Sequence, residues 1–337
     1  MEKPLLLHEF IFEITKMLTR RHLRIKVMQA VYAHQSIGDE PLDSGERKML
    51  RSFEQLYDLY ICQLAFLVEI FDYAGQKAEE GKRKQLPSKE DLQADTRFTE
   101  NKLIRYIRTN KAYLTHYNRL HINWREHYDL VRKAYQCFRN SSFYQDYIQK
   151  SQSTFYDERR LLVALIKECI SDFDLLKYHY EEKNIFWDED YYAATMMLLE
   201  TIDNLSADED ESAPLPGVFK DENSAGNSED REFAVELFRK TIRNFDDYKT
   251  KIAAKAKNWD FERIARVDMI LLEMAMAELL NFPSIPVKVT MNEYIEISKY
   301  YSTPKSRVFI NGVLDNIIAE YTKNNIIHKT GRGLKNN

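Results

Sequence analysis

Two stretches near the carboxyl end decide the fold: IPVKVTMNEYIEISK at residues 285–299 and SRVFINGVLD at residues 306–315. Both show the apolar spacing of helices, and prolines together with the run Ser302-Thr303-Pro304 mark the junctions beside them. Gly312 lies inside the second helical pattern, where glycine costs about 1 kcal/mol relative to alanine. We expect a close helix approach or a ligand contact to compensate for that cost.

The composition points to a mostly helical globular protein. The chain has 337 residues, of which 44% are hydrophobic and 30% are charged, and only 9 are glycine. So few glycines leave little material for phosphate-binding loops or dinucleotide-binding folds. The net charge of −4 excludes a polycation that coats nucleic acid indiscriminately, so any nucleic-acid site must be a local patch.

Helical patterns extend outward from the two quoted stretches over most of the chain, and we predict an all-α fold built from helical bundles. The predicted helices cover residues 14–35, 46–73, several helices within 101–205, and 231–257, 259–281, 287–300 and 305–323. Residues 75–99 hold Gly75, Gly81 and Pro87 and are predicted to form an exposed loop.

Composition shifts suggest domain boundaries. Residues 203–230 carry nine acids against Lys220 alone, which is typical of a solvated linker. We predict the following organisation: an amino-terminal extension 1–16, an arginine-rich helix 17–38, a helical insertion 39–202, an acidic linker 203–228, a carboxyl-terminal helical bundle 229–324 and a polar, frayed tail 325–337.

The densest basic cluster lies in the first predicted helix. Lys16, Arg20 and Arg24 stand four residues apart, with Arg21 beside them, so a helix places them on one stripe. Arginine donates bidentate hydrogen bonds to phosphate, so this stripe could follow an RNA backbone. On charge alone, a merely solvated helix face is the better interpretation.

A second basic region spans residues 101–140, where nine Lys and Arg residues face two acids and aromatic residues interleave with them. Base stacking on aromatics combined with phosphate pairing is a common way to hold single-stranded RNA. Tyrosines at helical spacing usually pack in a core, however, and we favour that interpretation here.

No catalytic, metal or cofactor site is predicted. The three cysteines Cys62, Cys137 and Cys169 are far apart and form neither a CxxC pair nor a disulfide framework, which fits a reducing cytoplasm. Cys137 and Cys169 are predicted to be buried structural thiols. The histidines at 116, 121 and 127 have a spacing that one helix cannot wrap around a metal ion. No apolar run approaches the length of a membrane span, and we expect a cytoplasmic protein that is not an enzyme.

The two quoted stretches closely resemble the signature of the transcription antitermination factor family NusB. The segment from Arg20 to Tyr32 is similar to the arginine-rich first helix of that family, and Arg266-Val267-Asp268 and Ala277-Glu278-Leu279 fall at family-like positions. The resemblance covers about residues 15–38 and 229–324. It leaves about residues 40–228 as an expansion of a normally shorter protein.

The resemblance implies an all-helical fold of two small bundles that binds the boxA element of nascent ribosomal RNA. The implied protein partners are NusE, a small-subunit ribosomal protein, and an antitermination complex on RNA polymerase, with a homodimer as a further possibility. Matching positions imply phosphate contacts by Arg20, Arg21 and Arg24, base stacking by Phe309 and a hydrogen bond by Asn311. The alternative for Phe309 is an aromatic residue packed in the core. Lys16, Gln29 and Lys305 complete the predicted RNA-binding residues. In the same way, Tyr32 and Asp268 match positions on the NusE-facing surface.

Two departures from the family pattern bear on these expectations. Lys305 stands where an acid often precedes the serine, which adds attraction for phosphate and removes an acceptor for bases. Family members typically begin near Met17, so residues 1–16 are either a true extension or the product of an upstream start codon.

Two alternatives stay open at the level of sequence. A NusB-like domain also occurs fused to RNA cytosine methyltransferases, but the glycine-rich cofactor loop and the catalytic cysteine motif are missing here. The other alternative is a helical protein-binding scaffold whose arginine face is incidental. Salt dependence separates it from an RNA-binding protein.

Overall fold

We describe a computed structural model that covers residues 19–86, 97–207, 212–219, 228–256 and 264–334. These residues form fourteen α-helices and contain no strand, which confirms the predicted all-α class. In chain order the helices are α1 (Arg20–Ile37), α2 (Leu42–Lys82), α3 (Lys102–Thr109), α4 (Lys111–Arg119), α5 (Tyr128–Arg139), α6 (Ser142–Gln149), α7 (Phe155–Leu165), α8 (Asp174–Lys183), α9 (Trp187–Asn204), α10 (Glu229–Arg243), α11 (Phe245–Lys255), α12 (Arg266–Asn281), α13 (Val287–Tyr301) and α14 (Ser306–Lys323).

The described residues divide into two compact units. The first, here the terminal unit, comprises residues 19–53, Phe219 and the described residues from 228 onward. The second, here the middle unit, comprises the described residues between Glu54 and Val218. Helix α2 supplies residues to both units, because the division falls between Phe53 and Glu54.

Helix α12 forms the centre of the terminal unit and packs against α1, α10, α11, α13 and α14. Its residues from Ile270 to Leu279 are all buried, as expected for a helix that is apolar around its whole circumference. Two glutamates, Glu273 and Glu278, lie within this apolar run and are 1% and 0% exposed. Buried carboxylates must find hydrogen bonds or lose their charge, so these two residues shape the chemistry of the unit.

The core of the middle unit forms around the second part of α2, where Leu59 to Phe71 are buried except for the half-buried Glu69. Polar groups tie this helix to α9. The Tyr60 Oη and Thr201 Oγ1 atoms lie 2.6 Å apart, and the Gln63 side chain donates to the Tyr191 carbonyl at 3.1 Å. These bonds satisfy polar atoms that would otherwise be unpaired in the core.

Side-chain caps explain where several of the short helices begin. The Asn101 side chain accepts from the Leu103 and Ile104 amides at the start of α3, and Asn110 accepts from the Tyr113 amide in α4. Asparagine and serine are favoured at such positions because they accept from amides that lack a helical partner. A sequence without glycine or proline from 101 to 205 is therefore divided into short helices by its caps.

The structure corrects two predictions made from the sequence. Helix α2 continues through Gly75 and Gly81 to Lys82, where a loop was predicted, because its long apolar face remains packed. The predicted helix 231–257 breaks at Asn244 into α10 and α11. The start of the next predicted helix, residues 259–263, lies outside the described residues.

The acidic segment and the tail are also more ordered than predicted where they are described. Leu215, Val218 and Phe219 are buried, whereas residues 208–211 and 220–227 lie outside the described part. In the tail, the Thr330 amide donates to the Pro283 carbonyl at 2.9 Å, and Lys329 donates to the Phe282 carbonyl at 3.0 Å. These backbone acceptors hold the tail against the α12–α13 junction, which a polar composition does not reveal.

The prediction that Cys137 and Cys169 are buried thiols outside any disulfide is wrong. Cys137, which is exposed, is bonded to Cys169, and their Cα atoms are 5.9 Å apart. A separation of 32 residues gave no cue to this pairing, which arises because α5 packs on the helical turn Ile166–Ile170. Cys62 is buried, and burial raises the pKa of its thiol to about 12.

The disulfide between Cys137 and Cys169 predicts how many cysteines react with an alkylating agent. Alkylation of the unfolded, non-reduced protein is expected to label one cysteine of the three, and alkylation after reduction all three. Because the bond closes a loop, reduction is expected to lower the free energy of unfolding by about 3 kcal/mol. The variant Cys137→Ser should show two reactive thiols without reduction. Three labelled cysteines in the non-reduced wild type would contradict the pairing.

Within the described residues, no helix combines the length and the apolar character that crossing a bilayer requires.

Candidate nucleic-acid interface

The arginines at the start of α1 are held by carboxylates of neighbouring helices. Arg20, whose side chain is 39% exposed, donates to Asp230 at 3.2 Å and lies 3.5 Å from Glu229 at the start of α10. Arg21 donates two hydrogen bonds of 2.7 Å to Glu293 of α13. These two guanidinium groups remain near the surface, so phosphate would compete with carboxylates already in place.

Arg24 lies in the interior of the terminal unit and is 2% exposed. Its guanidinium donates two hydrogen bonds of 2.7 Å to Glu278, which also accepts from Thr290 at 2.8 Å and Tyr294 at 3.0 Å. Burial alone would lower the pKa of Arg24, but the bound Glu278 carboxylate raises it above its ordinary value. The structure thus corrects the expected phosphate contact, because the charge of Arg24 is already used inside the protein.

Phe309 also requires a correction. Its side chain is 4% exposed and packs in the core, so it is not available for stacking on a base. An aromatic residue at this helical spacing can either pack in the core or lie exposed for stacking, and Phe309 packs in the core. The sequence alone could not decide between them, because the exposed and buried faces of α14 both carry apolar residues.

The exposed face of α14 carries four residues at helical spacing, Lys305, Val308, Asn311 and Gly312. Val308 is 65% exposed, and the Asn311 amide donates to Asp315 at 2.9 Å. A Cβ atom built on Gly312 would meet no atom within 4 Å. The sequence led us to expect that a close helix approach or a ligand contact offsets the cost of Gly312. A close helix approach is absent among the described residues, so a ligand contact stays open.

Arg307, which the sequence analysis did not single out, adds a second cation beside Lys305. Both side chains are exposed, and neither has an ion-pair partner among the residues that the structure describes. Lys305 lies just before α14, and Arg307 lies in its first turn. The sequence shows the pair as two cations that flank Ser306.

The two residues expected to face NusE differ in exposure. Tyr32 is 43% exposed, and the Arg266 guanidinium lies 4.7 Å from the centre of its ring. Asp268 is 4% exposed, and its Oδ1 atom has no hydrogen-bond partner in the described part of the chain. Gln29 is half-buried on α1, and Lys16 lies outside the described residues.

The aromatic residues of 101–140 divide between the core and the surface of the middle unit. Trp124 and Tyr113 are 3% and 4% exposed, whereas Tyr117 and Tyr128 are half-buried. Across the described ranges, no group of three His, Cys, Asp or Glu residues is arranged to hold a metal ion.

The geometry defines an all-helical protein with a buried arginine–glutamate pair and a partly cationic helix face. The sequence model of the NusB family matches residues 191–319. Relatives named transcription antitermination protein NusB include one from Salinibacter ruber, 46% identical over 104 residues, and one from Geobacter sulfurreducens, 44% identical over 107 residues. The chain belongs to the NusB family.

Only part of each chain is shared. The match covers 31% of this chain and 65% of the Salinibacter ruber protein, and 32% of this chain and 78% of the Geobacter sulfurreducens protein. A relative from Chloroherpeton thalassium is 42% identical over 31% of this chain and 49% of its own. The chain therefore spans about half of the Chloroherpeton thalassium protein and about two thirds of the Salinibacter ruber protein. No solved structure matches the chain.

Proposed function

We propose that this protein is an RNA-binding transcription antitermination factor. It binds a boxA-type element of nascent ribosomal RNA together with NusE and joins an antitermination complex on RNA polymerase. Membership of the NusB family supports this role, because the relatives carry antitermination in their names. The role is one of binding and assembly rather than catalysis.

The open face of α14 is the observation that carries the RNA-binding part of the proposal. Gly312 costs helix stability without serving any packing contact among the described residues. A nucleic-acid backbone approaching the helix at this point explains a residue without a side chain. Lys305 and Arg307 supply cations for phosphate at the start of the same helix, and Asn311 supplies an amide.

Arg20 and Arg21 extend this proposed surface from α1. Their carboxylate partners position the guanidinium groups, and each can exchange a carboxylate for phosphate when RNA arrives. Arg24 and Phe309 contribute indirectly, by fixing the helices on which the exposed residues stand. For NusE, we propose the exposed ring of Tyr32 with Arg266 above it as the contact, and Asp268 as a neighbour that positions α12.

The carboxylate pairing of Arg20 and Arg21 is also what favours the second candidate, a protein-binding scaffold. If these ion pairs persist in all complexes, the arginine face serves structure alone. RNA binding through several phosphates must weaken steeply with salt, with a log–log slope near −0.7 per contact on single strands. A scaffold would show a flat response.

The proposal predicts opposite effects of Gly312→Ala on stability and on RNA binding. The substitution is expected to stabilise the protein by up to about 1 kcal/mol, because alanine is the better helix former and meets open space. Affinity for boxA RNA is expected to fall about tenfold, because the added methyl group blocks close approach. Thermal unfolding and fluorescence anisotropy with labelled RNA, with and without NusE, measure the two effects.

A charge reversal on the same helix provides the matched control. Lys305→Glu is expected to weaken RNA binding about tenfold and to reduce the salt slope, whereas a glutamate at the amino end of α14 favours the helix dipole. Lys323→Glu makes the same change at the other end of α14 and should leave RNA binding unaltered. Equal RNA affinities for wild type, Lys305→Glu and Gly312→Ala would favour the scaffold. Light scattering on the same samples reports the possible homodimer.

A further inference from the structure

A cavity of about 820 Å³ in the middle unit has no role in the function proposed above. It lies between the second part of α2 and the segment that runs from Arg108 to Tyr128. Its volume falls within the range of about 300–1,000 Å³ that small-molecule sites occupy. All of its lining residues belong to the middle unit and precede residues 191–319, which the family model matches.

The charges that line this cavity do not all pair with each other. Asp72 is bound by Arg108, so these two charges cancel. Glu69, one turn earlier on α2, is half-buried and has no ion pair or hydrogen bond among the described residues. Burial, followed by the neighbouring Asp72, raises the pKa of Glu69. The cavity therefore contains an acceptor group for which the protein supplies no donor.

A free cation lies at the outer side of the same cavity. Arg125 is exposed, and its guanidinium forms no ion pair or side-chain hydrogen bond with the described residues, although its charge acts on Glu69 and opposes the rise in the pKa of that carboxyl. A ligand that satisfies both groups must present hydrogen-bond donors to Glu69 and an anionic group to Arg125.

Aromatic residues set the shape that such a ligand must have. Phe71, Tyr117 and Tyr128 line the cavity, and the charge of Glu69 contributes to a raised pKa at both tyrosines, for which burial is the larger cause. The carboxylate thus lies near both phenols. Trp124 lines the cavity too, and its buried Nε1–H has no acceptor in the described chain. Aromatic side chains beside an unpaired carboxylate and an unpaired indole N–H suit a planar heterocycle better than an aliphatic ligand.

We propose that this cavity binds a guanine nucleotide, with the base edge on Glu69 and the phosphate on Arg125. Guanine fits the free carboxylate because its N1–H and N2–H₂ groups form a parallel pair of donors. Uracil presents a single N–H between two carbonyl groups and cannot pair with a carboxylate in this way. The guanine O6 and N7 atoms are acceptors available to the Trp124 N–H or to the amides at the cavity wall.

The nucleotide can come from the free pool or from single-stranded RNA. A neighbouring cavity of about 390 Å³ shares Gln76 and Tyr128 with the first and is also lined by Lys77 and Arg132. Lys77 is paired with Glu80 at 2.6 Å, and Asp129 also lines this cavity, so we assign the next phosphate of an RNA strand to Arg132. The proposal does not depend on boxA binding, because no residue of α1 or α14 takes part in it.

Titration calorimetry of the full chain with guanosine 5′-monophosphate tests the site. We expect binding that is at least about tenfold tighter than for uridine 5′-monophosphate, and inosine 5′-monophosphate, which lacks the N2 amine, should fall between them. The substitution Glu69→Gln should weaken the binding of guanosine monophosphate about tenfold or more. This variant is expected to fold, because the amide removes a carboxylate whose charge is unfavourable in its place.

Matched variants separate local from general effects. Arg125→Ala should weaken the binding of guanosine monophosphate but not the binding of guanosine. Arg139→Ala, at an exposed arginine outside the cavity, should leave the binding of both ligands unchanged. Glu126→Gln repeats the acid-to-amide change at an exposed neighbour and should leave binding unaltered. Equal affinity for the guanine and uracil nucleotides, or full affinity in Glu69→Gln, would overturn the proposal.

A second arm identifies the source of the ligand. An oligouridine with one central guanosine is compared with plain oligouridine, both in the Lys305→Glu background to suppress binding at α14. Tighter, salt-dependent binding of the guanosine-containing strand, lost in Glu69→Gln, assigns the site to an RNA base. Binding of the mononucleotide without that preference assigns it to a free nucleotide. Loss of boxA binding with retained guanosine monophosphate binding would refute the proposed function and leave this site intact.

Discussion

Glu278→Ala is expected to lower the free energy of unfolding of the terminal unit by about 3 to 5 kcal/mol. Removing this carboxylate leaves the buried Arg24 guanidinium with only Glu293, 3.8 Å away and already bound by Arg21, as a counter-charge, and takes the acceptor from Thr290 and Tyr294. An uncompensated charge in the interior costs more than the pair contributes, because desolvation is no longer offset. Denaturant unfolding followed by circular dichroism measures the change.

The controls separate burial from charge. Arg24→Ala should cost a similar amount, whereas Arg20→Ala, which removes a more exposed ion pair, should cost less than about 1 kcal/mol. Replacing both partners, Arg24→Met with Glu278→Leu, should cost less than Glu278→Ala alone. A double variant as unstable as the sum of the two single variants would contradict this account. Tests of RNA binding should therefore alter Arg20 and Arg21 and leave Arg24 in place.

Glu273→Gln is expected to stabilise the terminal unit at pH 8 by about 4 kcal/mol and to have little effect at pH 5. Burial raises the pKa of the Glu273 carboxyl from 4.5 to about 8, and the hydrogen bond from Gln35 opposes this only in part. The group is therefore protonated in the folded chain at neutral pH, while the unfolded chain is ionised.

The sign follows from proton uptake on folding. An acid with a raised folded pKa stabilises the fold most below pH 4.5, and its contribution is lost as the pH rises from 4.5 to about 8. Glutamine cannot ionise, so the variant should not show this loss. Denaturant unfolding at both pH values measures it, with Glu236→Gln, at an exposed position on α10, as the control. If the wild type and the Glu273→Gln variant lose the same free energy of unfolding between pH 5 and pH 8, the proposed ionisation of Glu273 is excluded.

The helical class and the family follow from local sequence features, because apolar spacing and the two carboxyl-terminal stretches depend only on near neighbours in the chain. The positions where helices end also depend on tertiary packing. The continuation of α2 through Gly75 and Gly81 results from packing along a long face, which outweighs the cost of two glycines. The pairing of Cys137 with Cys169 likewise depends on helix packing rather than on spacing.

The site residues show where sequence reasoning reaches its limit. Arg20, Arg21 and Arg24 look alike on a helix stripe, yet only the third enters the core, because Glu278 occupies the apolar run of α12 opposite it. The two glutamates inside MILLEMAMAELL indicate that each carboxylate must pair or lose its charge, and Glu278 pairs with a buried arginine whereas Glu273 is protonated. Which arginine pairs with Glu278 cannot be read from the sequence, since the two lie 254 residues apart.

That separation has a consequence for synthesis on the ribosome. All of the middle unit emerges before Glu278 does, so residues 54–218 can fold while α1 still lacks its partners. The terminal unit must then close a loop that spans most of the chain, although the entropy of closure grows only slowly with loop length. Until that moment Arg24 remains hydrated and available to any anion nearby, including the RNA of the translating ribosome.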